Sequence, residues 1–173
     1  MDKTIFLIGP RAAGKSSVGR LLAADLNCAF ADTDRYIEEK NGRSVEDIVK
    51  REGWEGFRLR ESAALKDVSK PSTIVATGGG MILAESNRVF MAEHGLVLYL
   101  MASAEILVQR ILALPKHKLH PSLTGKSVDE EMAEVLKERE VLYYKAAHHV
   151  IDACAPLNDV KDDILLLLKT HSY

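Results

Sequence analysis

A glycine-rich segment near the start of the chain has the spacing of a phosphate-binding loop. Residues 9–16 read Gly-Pro-Arg-Ala-Ala-Gly-Lys-Ser and match G-x-x-x-x-G-K-[ST] at every fixed position. In such a loop, backbone N–H groups surround the phosphates of a nucleoside triphosphate, the lysine reaches the β- and γ-phosphates, and the hydroxyl binds Mg²⁺. Lys15 and Ser16 are therefore predicted to hold a nucleotide and its magnesium ion. The alternative is a chance glycine–lysine turn, which the strand-like and helix-like flanks disfavour.

Two aspartates, two residues apart, follow the second apolar run of the chain. On an extended strand end, the side chains of Asp32 and Asp34 would project to the same side. One could then hold the metal through water while the other handles the hydroxyl group of an acceptor. The alternative interpretation is that Asp34 caps a helix beginning at Arg35 and that Asp32 is a solvated loop acid.

Three further segments offer groups that could bind an acceptor molecule. Arg58 and Glu61 are three residues apart on a predicted helix, so the carboxylate could fix the guanidinium for a bidentate contact with a substrate carboxylate. The alternative is an ordinary surface ion pair. The glycines at 78–80 end a predicted strand and either let a ligand approach the backbone or form a tight turn. Arg139 and Tyr143 share a long predicted helix, where a solvated face is the default interpretation.

Composition restricts the class of protein. The length of 173 residues predicts one domain, and the hydrophobic share of 47% and charged share of 28% are those of a globular protein. A formal net charge of −2 argues against binding of nucleic acid through bulk charge. Cys28 and Cys154 cannot form a disulfide framework. A signal-like N-terminal segment and an apolar run of membrane-spanning length are both lacking, which predicts a cytoplasmic protein without a membrane partner.

Strand-like and helix-like runs alternate along the chain. Strands are predicted at 4–8, 28–31, 73–77, 96–100 and 148–151. Helices are predicted at 17–26, 35–40, from a cap at Ser44 to about 51, and at 54–68, 86–93, 103–114, 128–147 and 159–169. This alternation predicts an α/β fold in which helices cover both faces of a five-stranded parallel sheet, with ligands at the carboxyl ends of the strands. Residues 114–126 lack periodicity and are predicted to form a mobile loop.

Together these segments resemble those of the shikimate kinase family. The phosphate loop marks only a superfamily, whereas the acidic pair, the Phe-Arg-x-x-Glu segment and the triple glycine are far more specific. Pro10-Arg11 and the Pro-Ser-Leu-Thr-Gly-Lys stretch look most like the enterobacterial type II-like branch. The matched elements keep the family's order and spacing over nearly the whole chain: Gly9–Ser16, Asp32-Thr33-Asp34, Gly56-Phe57-Arg58 with Glu61, Ala76-Thr77-Gly78-Gly79-Gly80, Leu123-Thr124-Gly125-Lys126, and Arg139 with Tyr143.

The resemblance implies a fold and an activity. The fold would be the three-layer P-loop kinase fold of nucleoside monophosphate kinases, formed by residues 1–173 as one domain. A mobile lid is expected at about 114–126 and a substrate-binding helical region at about 34–62. The activity would be transfer of the γ-phosphoryl group of ATP to the 3-hydroxyl group of shikimate, in the route to chorismate and the aromatic amino acids. We expect a monomer whose partners are shikimate, ATP and Mg²⁺.

The resemblance also implies residue roles. Expected to bind ATP are Ala12, Ala13, Gly14, Lys15, Ser16 and Ser17, with Arg110 packed on the adenine and His120 in the lid. Mg²⁺ would be held by Ser16 and, through water, by Asp32. Shikimate would contact Asp34, which orients the hydroxyl group and acts as a base. Its carboxylate would be bound by Arg58 and Arg139. The other expected contacts are Arg11, the amides of Gly79 and Gly80, and Glu61, which holds Arg58. The expected catalytic set is Lys15, Asp34, Arg58 and Arg139.

One position departs from the family pattern, and two other functions stay open. His120 stands where the family has an arginine before the lid proline. A slow enzyme is the favoured consequence, while a protonated His120, or Lys116 or Lys118 in its place, stays an open alternative. The first open alternative is a related small-molecule kinase acting on gluconate or a nucleotide. Two arginines and an acid suit a polyhydroxy acid better than a nucleotide base, but gluconate is itself such an acid. The second alternative is a nucleotide-binding protein that has lost turnover.

Overall fold

The computed structural model describes residues 3–115 and 125–170. Within these ranges the chain alternates between strands and helices, as the sequence predicts. The strands are β1 (Thr4–Ile8), β2 (Ala29–Asp32), β3 (Thr73–Ala76), β4 (Gly95–Met101) and β5 (His149–Asp152). The helices are α1 (Lys15–Asp25), α2 (Thr33–Asn41), α3 (Val45–Val68), α4 (Glu85–His94), α5 (Ala104–Leu112), α6 (Val128–Ala146) and α7 (Leu157–Thr170), with a 3₁₀ turn at Met81–Leu83.

The five strands form one parallel sheet in the order β2-β3-β1-β4-β5. In this order β1 is central, and all five of its residues are buried. Leu7 of β1 and Asp32 of β2 both pair with Ala76 of β3, which lies between them. The segments after these three strands therefore meet at one edge of the sheet. They are the phosphate loop, the start of α2 and the triple glycine.

Hydrophobic side chains of the strands alternate between two cores, one on each face of the sheet. Ile5 and Leu7 of β1 pack with residues of α1, α5 and α7. Phe6 and Ile8 of the same strand pack with residues of α3, α4 and α6 on the opposite face. The predicted α/β fold with three layers is confirmed.

Helix α3 consists of two helical segments joined at Gly53. The backbone of Gly53 has φ 70° and ψ 177°, which interrupts the helix and is a conformation that favours glycine. The two helices predicted on either side of residues 52–53 are thereby confirmed. The second segment carries Arg58 and Glu61, so the turn at Gly53 sets the direction from which both side chains enter the site.

The predicted mobile loop at 114–126 falls mainly on residues 116–124, which lie outside the described residues. His120, Leu123 and Thr124 are among them. In the two described ranges, no helix is both long enough and apolar enough to cross a membrane.

Candidate active site

The segment between β1 and α1 turns through backbone conformations with positive φ. Gly9 has φ 145°, Ala12 has φ 63°, and Gly14, which precedes the first residue of α1, has φ 93°. Glycine is expected at such positions, whereas alanine is not, so the backbone is strained at Ala12. The turn brings the N-terminus of α1, with its unpaired N–H groups, to the edge of the sheet.

Lys15 is buried inside this loop. Its Nζ donates hydrogen bonds to the carbonyl oxygens of Gly9, at 2.8 Å, and Pro10, at 2.6 Å. Burial lowers the pKa of Lys15 to about 8, and the nearby carboxylates of Asp34 and Asp32 act in the opposite direction. A phosphate anion reaching Nζ would favour the charged amine further, because an opposite charge at short range stabilises the ion.

Asp32 connects the phosphate loop to α2. Its Oδ2 accepts a hydrogen bond from the Ser16 hydroxyl at 2.5 Å, and its Oδ1 accepts from the amides of Asp34, at 3.1 Å, and Arg35, at 3.2 Å. Asp32 is therefore the N-cap of α2, and the alternative that placed Asp34 in that role is wrong. The placement of Asp34 on an extended strand end is also wrong, since Asp34 lies in the first turn of α2.

The Ser16 hydroxyl and the Asp32 carboxylate form an oxygen donor set that suits a magnesium ion. Mg²⁺ prefers octahedral oxygen ligands and usually keeps several waters while contacting one or two protein groups and substrate phosphates. No group of three or more Asp, Glu, His or Cys side chains that could hold a metal occurs within the described ranges. An ion here would accordingly rely on phosphate and water oxygens for its remaining ligands.

Side chains from two helices press against the backbone of the triple glycine. A Cβ atom at Gly78 would lie 2.6 Å from both Asp34 Oδ1 and Glu61 Oε1, and a Cβ at Gly80 would overlap the Arg58 guanidinium. A Cβ at Gly79 would meet only ordinary contacts, the nearest being the Arg11 backbone nitrogen at 3.5 Å. At two of the three positions, a Cβ atom would thus displace the ends of these side chains, a constraint that neither of the sequence interpretations anticipated.

Arg58 and Glu61 form a partly buried ion pair rather than a surface one. The Glu61 residue is 1% exposed and its carboxylate contacts Arg58 Nη1. The Arg58 guanidinium also lies over the Trp54 ring, 5.2 Å from the ring centroid. Burial raises the pKa of Glu61 to about 7, and the charge of Arg58 opposes that rise. The alternative of an ordinary surface pair is wrong.

Arg139 reaches the same glycines from α6 and is not on a solvated face. It is 7% exposed, and its Nη1 lies 3.4 Å from the carbonyl oxygen of Gly79. Its Nε is buried and finds no acceptor among the described residues. Tyr143, one turn further along α6, donates to the same Gly79 carbonyl at 2.6 Å. A buried guanidinium with an unused donor is suited to receive an anionic ligand.

Most of these groups line one cavity of about 540 Å³. It extends from the phosphate loop, past the glycines, to the second half of α3 and the start of α6. Among its lining residues are Arg11, Ala12, Lys15, Ser16, Asp32, Asp34, Arg58, Glu61, Gly79, Gly80 and Arg139.

Five of the predicted residues do not line the cavity or lie outside the described ranges: Ala13, Gly14, Ser17, Arg110 and His120. Arg110 donates to the carbonyls of Ala12, at 3.4 Å, and Ala153, at 2.8 Å, so it joins the phosphate loop to the segment after β5. Ala13 is buried and Ser17 is exposed at the start of α1. His120 is outside the described residues.

Two contributors to the site were not singled out by the sequence. Thr33 is fully buried, and its Oγ1 accepts a hydrogen bond from the Gly78 amide at 2.9 Å. Trp54 supplies the aromatic face for Arg58. A threonine between two aspartates had no distinguishing signal, whereas a lone tryptophan one turn before Phe-Arg-x-x-Glu could have been linked to the arginine through helical spacing.

Comparison with known proteins identifies the family. The sequence model of the family described as shikimate kinase matches residues 11–168. The chain belongs to the shikimate kinase family. It is 51% identical over 168 residues to "Shikimate kinase 2" of Yersinia enterocolitica, covering 97% of each chain, and 52% identical over 172 residues to the protein of that name from Syntrophotalea carbinolica, covering 99% of this chain and 100% of the relative. The protein is accordingly an ATP-dependent kinase.

Solved structures of the family have the same fold. A structure described as shikimate kinase from Acinetobacter baumannii in complex with shikimate has a TM-score of 0.92 at 35% identity, covering 99% of this chain and 95% of that chain. Shikimate kinase from Aquifex aeolicus has a TM-score of 0.81 at 29% identity, covering 98% of both chains. The likeness covers nearly the whole chain.

The buried carboxyl of Glu61 should make the stability of the folded protein depend on pH. Its pKa is raised in the folded state, so it holds a proton more tightly there than in the unfolded chain. Glu61 therefore costs the folded state stability as pH rises from about 4.5 to 7, by about 3 kcal/mol in total. The melting temperature of Glu61→Gln minus that of the wild type should therefore increase from pH 5 to pH 8, by on the order of 5–10 °C. Thermal melts at several pH values measure this.

A glutamate of the same helix provides the control. Glu52 is paired with Arg60 at 2.8 Å, but that pair is far more exposed and the guanidinium lowers the pKa of Glu52. Glu52→Gln should show no gain with rising pH. If the difference between Glu61→Gln and the wild type stays constant from pH 5 to pH 8, Glu61 does not take up a proton in this range.

Proposed function

We propose that the protein transfers the γ-phosphoryl group of ATP to the 3-hydroxyl group of shikimate, giving shikimate 3-phosphate and ADP. One observation carries the proposal. A single cavity holds the phosphate-loop lysine at one end and, across the triple glycine, a carboxylate and two arginines at the other. The known relatives support the same acceptor, since one solved structure of the family is a complex with shikimate.

The donor end of the cavity is proposed to bind the phosphates of ATP. Lys15 exchanges its two carbonyl partners for the β- and γ-phosphates, which keeps positive charge where negative charge develops. Ser16 and Asp32 would hold Mg²⁺, which when bound neutralises charge on the phosphate oxygens. Arg110 and the backbone of residues 12–17 are the other proposed ATP contacts.

The acceptor end is proposed to bind a hydroxylated carboxylate. Arg58 and Arg139 face the carboxylate, and the amides of Gly79 and Gly80 are the backbone donors nearest to it. Asp34 lies between the arginines and Lys15 along the cavity, where it accepts the proton of the attacking hydroxyl. Glu61 holds Arg58 in place, and Arg11 completes the wall toward the phosphates. Phosphoryl transfer needs mainly such positioning and charge compensation.

A turnover assay tests the proposal directly. ADP release from ATP and Mg²⁺ should depend on shikimate and should be absent with gluconate or a nucleoside monophosphate as acceptor. Shikimate 3-phosphate in the product mixture identifies the acceptor oxygen. ATP binding without ADP release for any of the three acceptors would instead support a binding protein that has lost turnover. That the protein acts as a cytoplasmic monomer stays a prediction.

Asp34→Asn should reduce kcat for shikimate phosphorylation by about 10²–10⁴-fold, the usual contribution of a general base. The amide keeps the shape of the side chain but cannot accept the hydroxyl proton, so KM for shikimate should change by less than about threefold. Steady-state kinetics measure both constants. Asp67→Asn, at an exposed aspartate of α3 paired with Lys40, is the control and should leave kcat unchanged. A kcat above half the wild-type value in Asp34→Asn would exclude the base role.

The glycine contacts predict a difference between two neighbouring alanine variants. Gly80→Ala should push the Arg58 guanidinium out of place and weaken shikimate binding about tenfold or more, as expected for loss of a charged hydrogen bond. Gly79→Ala, whose Cβ has ordinary contacts, should keep the shikimate Kd within about threefold. Isothermal titration calorimetry with shikimate and with an ATP analogue compares them. Equal weakening in both variants, or a loss for ATP as large as for shikimate, would place Arg58 away from the acceptor.

A further inference from the structure

Tyr143 contacts the triple glycine, although it belongs neither to the phosphate loop nor to the arginines proposed to bind the substrate. Its residue is 1% exposed, and its ring stacks on that of Tyr99 from β4, with 5.0 Å between the centroids and 17° between the planes. Its hydroxyl passes beyond this stack and donates to the Gly79 carbonyl at 2.6 Å. Packing needs only the ring, so the hydroxyl calls for a separate explanation.

The hydrogen bond to Gly79 restricts the peptide that follows it. The carbonyl oxygen of Gly79 and the N–H of Gly80 belong to one planar trans peptide and point in opposite directions. Glycine on both sides of this peptide leaves its plane free to rotate unless another contact fixes it. Holding the oxygen therefore also fixes the direction of the Gly80 N–H, and Gly80 lines the cavity.

The same hydrogen bond affects Arg139. Arg139 Nη1 is 3.4 Å from the Gly79 carbonyl, whereas the Tyr143 hydroxyl is at 2.6 Å, so the tyrosine is the stronger partner of that oxygen. Without the hydroxyl, the carbonyl would be buried with only the arginine to satisfy it. The guanidinium would then turn toward the carbonyl and away from a ligand.

We propose that Tyr143 is a positioning residue for the carboxylate of the acceptor. Its hydroxyl holds the Gly79 carbonyl, which fixes the direction of the Gly80 N–H and leaves the Arg139 guanidinium available to the carboxylate. The role rests on the proposed function, because it assumes that this end of the cavity binds the acceptor. It concerns the affinity and alignment of the acceptor and leaves the ATP end unaffected.

Two tyrosine-to-phenylalanine variants test this role. Tyr143→Phe keeps the stack but removes the hydrogen bond to Gly79, and should raise the shikimate Kd and KM about fivefold to twentyfold while kcat falls by less than about threefold. The Kd for an ATP analogue should not change. Tyr99→Phe is the matched control: the Tyr99 ring is equally buried in the same stack, but its hydroxyl has no hydrogen-bond partner among the described residues. That variant should keep wild-type constants.

A spectroscopic measurement separates positioning from a merely structural role. In protein labelled with ¹⁵N-glycine, the Gly80 amide signal should shift on addition of shikimate to the wild type and to Tyr99→Phe, and should shift much less in Tyr143→Phe. A Tyr143→Phe protein that melts a few degrees lower but binds shikimate like Tyr99→Phe, with an unaltered Gly80 shift, would overturn the proposal. If the wild type itself neither binds nor phosphorylates shikimate, the proposed function fails instead.

Discussion

The whole site depends on how closely side chains approach the backbone of three consecutive glycines. Asp34 from α2 and Glu61 from α3 lie where a Cβ of Gly78 would be in steric conflict, and Arg58 lies where a Cβ of Gly80 would stand. Thr33 and Tyr143 add hydrogen bonds to the same backbone segment. Because three helices converge on one strand end, their functional groups keep fixed distances from one another without long connecting loops.

Charge balance follows from this convergence. Burying Glu61 beside Arg58 places a negative charge next to the arginines that an anionic ligand would need, and burial of the carboxyl raises its pKa to about 7. Near neutral pH the carboxyl can therefore exist in either form. When ionised it holds Arg58 in place; when protonated it leaves more of the positive charge of Arg58 and Arg139 for a ligand. Removing Arg58 would instead leave the buried Glu61 carboxylate without its ion-pair partner, which is costly.

Local patterns in the sequence predicted most of the fold. Hydrophobic periodicity located the strands and helices to within a few residues, and the break in helical spacing near Gly53 corresponds to a real interruption of α3. The strand order could not be predicted, because periodicity reports which residues are buried and not which strand is adjacent. The roles of Asp32 and Asp34 were also ambiguous, since either aspartate is a good N-cap. The hydrogen bonds from the amides of Asp34 and Arg35 to Asp32 Oδ1 decide between them. The other carboxylate oxygen of Asp32 accepts from Ser16, which lies sixteen residues earlier in the chain.

Contacts between residues far apart in the sequence determine the features of the site that the sequence did not predict. The Gly78 amide meets Thr33 across 45 residues, and the Gly79 carbonyl meets Tyr143 across 64 residues. Neither threonine nor tyrosine carries a local signal for such a bond. Ala12 adopts φ 63° although the loop contains glycines that could have taken this conformation. In each case the tertiary structure, and not the local preference of the residue, determines the geometry.

The segment Asp32-Thr33-Asp34 connects the two ends of the cavity. Asp32 accepts a hydrogen bond from the Ser16 hydroxyl, Thr33 accepts one from the Gly78 amide, and Asp34 lines the cavity, all within one strand-to-helix junction. A ligand that shifts this junction from one end changes the free energy of binding at the other. Thermodynamic reciprocity then requires each ligand to change the affinity of the other by the same factor. Cooperativity between the two substrates could thus arise in a single small chain, without any second subunit.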